Sequence, residues 1–262
     1  MDIASIGVAK LEVFILVLAR TAGIFTLAPI FGSSQVPIQV RVVVAVAIAL
    51  VFVPFCASAA SAPPALDLLM MGALVLKEAL VGLALGFVVI LVFAAIQAAG
   101  DLIDIQSGFS FAATLDPTYG SQTAVAGRIQ HLLAGLLFFV TNAHHVLIAG
   151  LADSLRIIPV AQLSLNPAAA GGVLNLFGAF FAVAIRIAAP VLAALFLADI
   201  ALAIVARAAP QINVLFVGLP IKMGVAMVGM AVAMPVIMAG TRDAVGGIGY
   251  QMSAIAHVLA LR

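Results

Sequence analysis

Residues 99–122 read AGDLIDIQSGFSFAATLDPTYGSQ, and the rest of the chain makes sense around them. The stretch holds three of the ten acidic residues, Asp101, Asp104 and Asp116, in a sequence that is 66% hydrophobic and 8% charged. Asp101 and Asp104 stand one helical turn apart, so a helix there would point both the same way. Asp116-Pro117 followed by Tyr119-Gly120 reads as a turn. A polar segment cannot lie bare in hydrocarbon, so between oily flanks it predicts a loop facing water or other protein.

Outward from this waist the chain is too apolar to cover a globular surface in water, which places it in the membrane class. Eleven basic residues against ten acidic ones leave a net charge of +1, far too little to support a large electrostatic contribution to nucleic-acid binding. The single cysteine, Cys56, cannot form an internal disulfide, and its apolar neighbours predict a buried thiol. The first apolar run, from Leu11 to Ala28, is broken by Glu12 and Arg20 and is expected to stay in the mature protein rather than be removed as a signal.

Six apolar stretches approach or exceed the ~20 helical residues that cross a hydrocarbon core: residues 11–31, 42–56, 66–99, 129–151, 173–207 and 214–240. The fold expected is therefore an all-α integral membrane protein. Simple perpendicular spans do not fit every stretch, because residues 173–207 would extend roughly 50 Å as a helix against a core of about 30 Å. Either Pro190 kinks that segment, or it projects past the bilayer, or it packs mostly against protein.

Charges inside the stretches point the same way, since one at the centre of an isolated span costs about 3 kcal/mol on insertion scales. Glu12, Arg20, Lys77, Glu78, Arg186, Asp199 and Lys222 all lie in such positions, and such groups seek partners. Asp199 and Arg207 fall on neighbouring faces two turns apart. Arg186 and Asp199 face nearly opposite ways, so Arg186 is expected to pair with another segment or subunit. Lys77, Lys222 and Arg207 are close enough to helix ends to snorkel. Gly82 and Gly86 form a small-xxx-small pair that lets another helix approach closely.

Catalytic and metal chemistry finds little footing. His144 and His145 would point about 100° apart on a helix, and no cysteine or carboxylate cluster completes a metal site with them. The glycines at 246, 247 and 249 lack the strand and downstream acid of a dinucleotide fingerprint, and there is no Walker motif. No enzyme and no cofactor is expected. Met223, Met227, Met230, Met234 and Met238 recur at helical spacing and read as a packing stripe or as a compliant seal.

Four motif groups, in order along nearly the whole chain, carry a resemblance. RTAGIFTLAPIFGSSQVPIQVR (residues 20–41), KEALVGLALGF (77–87), AGDLIDIQSGFSFAATLDP (99–117) and IRIAAPVLAALFLADIALAIVARAAPQINVLFVGLPIK (185–222) together resemble the FliR family, the R subunit of the flagellar type III export gate. The counterpart in virulence secretion systems is less close. At residues 142–145 the sequence Asn-Ala-His-His stands where the family pattern has Gly-Gly-His.

The resemblance implies kinked helical hairpins packed in a helical hetero-oligomeric gate of the bacterial inner membrane, at the flagellar basal body. Residues 1–170 would be P-subunit-like and 171–262 Q-subunit-like. The implied partners are the P and Q subunits (FliP and FliQ), the B switch protein (FlhB), the A export protein (FlhA) and unfolded flagellar substrates in transit. The central loop becomes a pore plug, comprising Gln106, Ser107, Gly108, Phe109, Ser110, Phe111, Ala112, Thr114, Asp116, Pro117 and Tyr119. Arg20, Glu78, Asp101, Asp104, Arg186, Asp199 and Arg207 become intersubunit or intramembrane charges. Two alternatives are a self-sufficient six-span small-solute transporter and a virulence secretion gate subunit.

Overall fold

The computed structural model describes residues 3–29, 31–32, 36–57, 68–110, 125–162, 168–211 and 213–260. Each apolar stretch is helical over most of its described residues, and no strand occurs among the described residues. In chain order the helices are α1 (Ile3–Leu27), α2 (Ile38–Ala57), α3 (Leu68–Ser107), α4 (Val125–Val140), α5 (Ala143–Ile157), α6 (Ala168–Ala208), α7 (Val214–Gly246) and α8 (Ile248–Ala260). Four candidate spans are long and apolar enough to cross a membrane: Ile38–Cys56, Leu68–Ser107, Leu174–Ala208 and Phe216–Ala260. The broken pair Val125–Val140 and Ala143–Ile157 makes a fifth if counted as one. The chain is thus an all-α membrane protein.

The fourth apolar stretch is two helices rather than one. Asn142 sits between them with φ 56° and ψ 29°, the left-handed region that costs most residues about 1–2 kcal/mol and that Asn tolerates after Gly. The prolines act otherwise. Pro54, Pro190, Pro220 and Pro235 all lie inside helices that continue through them, as membrane helices permit when neighbouring groups take over the freed carbonyls.

The chain divides into two compact units, one made of residues 1–91, 142–177 and 247–262 and the other of 92–141 and 178–246. Each draws segments from both sides of residue 170. In the first unit, α1 packs on α2 and α5 on α8. Val13, Val17, Ala49 and Cys56 form a buried apolar cluster there, flanked by Phe14, Leu18, Phe52, Leu155 and Val160. Close helix contacts in this unit are made at glycines: a Cβ on Gly150 would fall 2.7 Å from Met252 of α8, and one on Gly249 2.7 Å from Val146 of α5.

In the second unit α4 packs on α7, and Phe93 meets both His131 and Phe138 edge to face. The methionine stripe is divided: Met230 is buried, whereas Met227 is 60% exposed.

Burial separates one helix from the rest. Of the apolar window in Leu68–Ser107, 61% is buried within the chain, against 11% for Ile38–Cys56 and 22% for each of the last two spans. The most apolar window of α3 is thus mostly buried, while those of the other three spans turn most of their surface outward. That outward surface must meet lipid or other protein.

Candidate functional site

The base of the central loop is where the polar residues of the second unit meet. Helix α3 ends at Ser107, and Gly108 follows with φ 88°, the left-handed helix-end position that glycine fills without a Cβ penalty. A Cβ there would also fall 2.6 Å from a methyl of Leu219. The Ser107 hydroxyl turns back to donate to the Asp104 carbonyl at 3.2 Å. The C-terminal end of α3 is therefore fixed.

The exit is fixed by Asp104. Its two carboxylate oxygens accept from the backbone N–H of Ala126 at 3.0 Å and of Gly127 at 2.9 Å, in the first turn of α4. Those N–H groups have no partner inside their own helix. A buried carboxylate from another helix thus does the work of an N-cap, and it also meets the positive end of the α4 dipole. The approach this requires depends on two glycines. A Cβ on Gly100 would lie 2.5 Å from the Gly127 Cα, and one on Gly127 would strike the Asp101 carboxylate. Asp101 and Asp104 therefore both face the start of α4.

A third contact ties α3 to α6 and α7. Gln106 donates its amide N–H to Asp199 Oδ2 at 2.7 Å, and Lys222 Nζ lies 2.8 Å from Asp199 Oδ1. Asp199 is thus joined to Lys222 of α7. Arg207, two turns along α6, and Arg186 are both exposed and carry no ion pair among the described residues. Of the residues expected in the loop, Gln106 and Ser107 are instead the end of α3, and Phe109 (half-buried) and Ser110 (exposed) are again helical after the turn at Gly108. Phe111, Ala112, Thr114, Asp116, Pro117 and Tyr119 lie outside the described residues.

The first unit has its own polar centre, built on Arg20 and Glu78. Arg20 Nε lies 2.6 Å from Glu78 Oε2 and both side chains are fully buried. Arg20 Nη1 donates to the carbonyls of Ser154 and Ile158, each at 2.9 Å, while Ala161 N–H donates to Glu78 Oε1 at 2.9 Å. The turn held in this way has Ala161 at φ 70° and closes with Gln162 N–H on the Pro159 carbonyl at 3.1 Å. A non-glycine residue in that position is strained, and Glu78 supplies the hydrogen bond that holds it.

Neither Lys222 as the partner of Asp199 nor the 158–162 turn as the partner of Arg20 and Glu78 follows from the sequence. Both pairings are long-range, and no local spacing encodes them. Among the described residues no group of three or more His, Cys, Asp or Glu is placed to hold a metal.

Asp104→Ala leaves two helix-start N–H groups unpaired in a buried site, and the expected cost is about 1–3 kcal/mol. Thermal unfolding in detergent checks this. Asp104→Asn, which keeps an acceptor, should recover part of the loss.

The family of bacterial export proteins, family 1, matches residues 11–247. The chain belongs to that family. Flagellar biosynthetic protein FliR of Bacillus subtilis is 39% identical over 236 residues, 88% of this chain and 89% of the relative. FliR of Escherichia coli K12 is 31% identical over 220 residues, 84% of this chain and 83% of the relative. Yop proteins translocation protein T of Yersinia pestis is 34% identical over 152 residues, 57% of this chain and 58% of the relative. The FliR resemblance read from the motifs is thereby shown, with the virulence homologue as the more partial match. Within this export family the loop base described above occupies the middle of the matched region.

Proposed function

We propose that this chain is a component of a flagellar type III export gate, helping to line its pore and closing it with the segment that joins α3 to α4. The observation that carries the reading is the clamped loop base. Asp104 pins the exit, Gly108 sets the entrance, and Gln106 joins the stem to Asp199 and Lys222. A segment with both ends fixed to rigid helices and a polar, small-residue middle can leave and re-enter a channel as an order or packing switch, without a large desolvation cost. The chain does no chemistry in this reading. It forms part of a conduit for unfolded substrates whose transport is energised elsewhere.

Relatives named as flagellar biosynthetic proteins align over most of the chain, whereas the translocation protein T match covers 57% of it. That favours the flagellar branch. The outward apolar surfaces of α2, α6 and α7 support assembly with other subunits, for which FliP and FliQ, with FlhB and FlhA nearby, are the proposed partners in the inner membrane. Exposed Arg186 and Arg207 are then available to acidic groups on those neighbours. In the same reading residues 1–170 correspond to a P-like region and 171–262 to a Q-like one.

Deleting residues 110–114 is expected to leave assembly intact and to make the membrane leaky to ions. Conductance of vesicles holding the assembled deletion variant, compared with wild type, measures this. Unchanged conductance in a fully assembled variant removes the plug assignment. A chain that purifies alone as a stable, monodisperse species favours the small-solute transporter instead.

A further inference from the structure

Between the C-terminal ends of α4 and α7 lies a cavity of about 990 Å³, open on one side. Its wall is apolar where Leu137, Val140 and Met238 line it, and polar where Thr141, Arg242 and Asp243 do. Arg242 and Asp243 are adjacent, exposed and of opposite charge, yet neither makes an ion pair or hydrogen bond among the described residues. They belong to the last two turns of α7, which ends at Gly246, and Thr141 directly follows the end of α4 at Val140. Apolar wall toward the helix interior and polar groups at the helix ends is the profile of acyl chain below headgroup.

We infer that this cavity binds one phospholipid with a zwitterionic, primary-amine headgroup of the phosphatidylethanolamine type. Arg242 offers a planar guanidinium that meets a phosphate through two parallel N–H donors. Asp243 offers a carboxylate, which needs a cation able to donate hydrogen bonds. A net-anionic headgroup would satisfy Arg242 and be repelled by Asp243. A quaternary ammonium headgroup would bring charge but no N–H. The ethanolamine headgroup supplies both missing partners at once, and the acyl chain lies along Leu137, Val140 and Met238. This site is separate from the loop base, so its failure leaves the gate reading untouched.

The test uses the full chain purified in mild detergent with whatever subunits accompany it, exposed to equal amounts of phosphatidylethanolamine and phosphatidylglycerol and examined by native mass spectrometry. Preferential retention of phosphatidylethanolamine is expected, by about tenfold. Arg242→Gln and Asp243→Asn should each abolish most of that preference, and the exchanged pair Arg242→Asp with Asp243→Arg should restore it. Equal retention of the two lipids by the wild type, or preference for phosphatidylglycerol, overturns the inference without reference to any variant. Displacement of the bound lipid by millimolar inorganic phosphate also overturns it, pointing to a simple anion site. A photoreactive residue in place of Val140 that crosslinks in membranes to a protein rather than to lipid would assign the cavity to a neighbouring subunit instead.

Discussion

Arg20→Leu is expected to destabilise the folded chain by about 3–5 kcal/mol, the usual cost of removing one member of a buried ion pair. The reason lies in what is left behind. Glu78 stays fully buried and loses its cation, keeping only the Ala161 N–H. The carbonyls of Ser154 and Ile158 lose the guanidinium donor that joins the end of α5 to α1. Arg20→Lys should recover little, because one ammonium on a flexible stem cannot serve Glu78 and both carbonyls in the planar arrangement that a guanidinium provides. The double variant Arg20→Leu with Glu78→Leu should be less damaged than Arg20→Leu alone, since it leaves no uncompensated charge. Unfolding midpoints of the four proteins in one detergent decide the matter. An Arg20→Leu variant as stable as wild type would mean that the pair contributes nothing to holding α1.

This network also shows where sequence reading stops. Helix positions were legible because membrane helices announce themselves as long apolar runs, and each of the six runs is helical over most of its described residues. The break at Asn142 was not, because it rests on one residue's tolerance of the left-handed region in the middle of an apolar run. At the loop base, the spacing of Asp101 and Asp104 correctly puts both on one face. Nothing in that spacing says that the face meets the first turn of α4, more than twenty residues later. Arg20 and Glu78 are both recognisable as charges too deep to stand alone. Their partnership spans 58 residues, and the two carbonyls that complete it, at the end of α5 and the start of the turn, lie 134 and 138 residues from Arg20. Pairings of that range are decided by how helices pack, and packing here is decided by glycines.

Gly82 is the position where that dependence is most testable. A Cβ at Gly82 would strike the Arg20 carbonyl, and one at Gly23 on the facing helix would come within 2.8 Å of the Ala79 carbonyl. A Cβ on Gly86, one turn further along α3, would lie 2.9 Å from the Ile24 carbonyl. The obstructing atoms are backbone, so no side chain can swing aside and α1 itself must move outward. Gly82→Ala should therefore cost about 2–3 kcal/mol through overpacking, and Gly82→Val more. The shift also pulls Arg20 away from Glu78. Gly72 provides the control, since it lies in the same helix and a Cβ there meets nothing within 4 Å. With space available, Gly72→Ala should stabilise by about 0.5–1 kcal/mol through lower backbone entropy in the unfolded chain. Opposite signs for the same chemical change in one helix, read from unfolding midpoints in detergent, are the expected result. Equal effects at Gly72 and Gly82 would show that α1 and α3 do not meet at the separation these glycines permit.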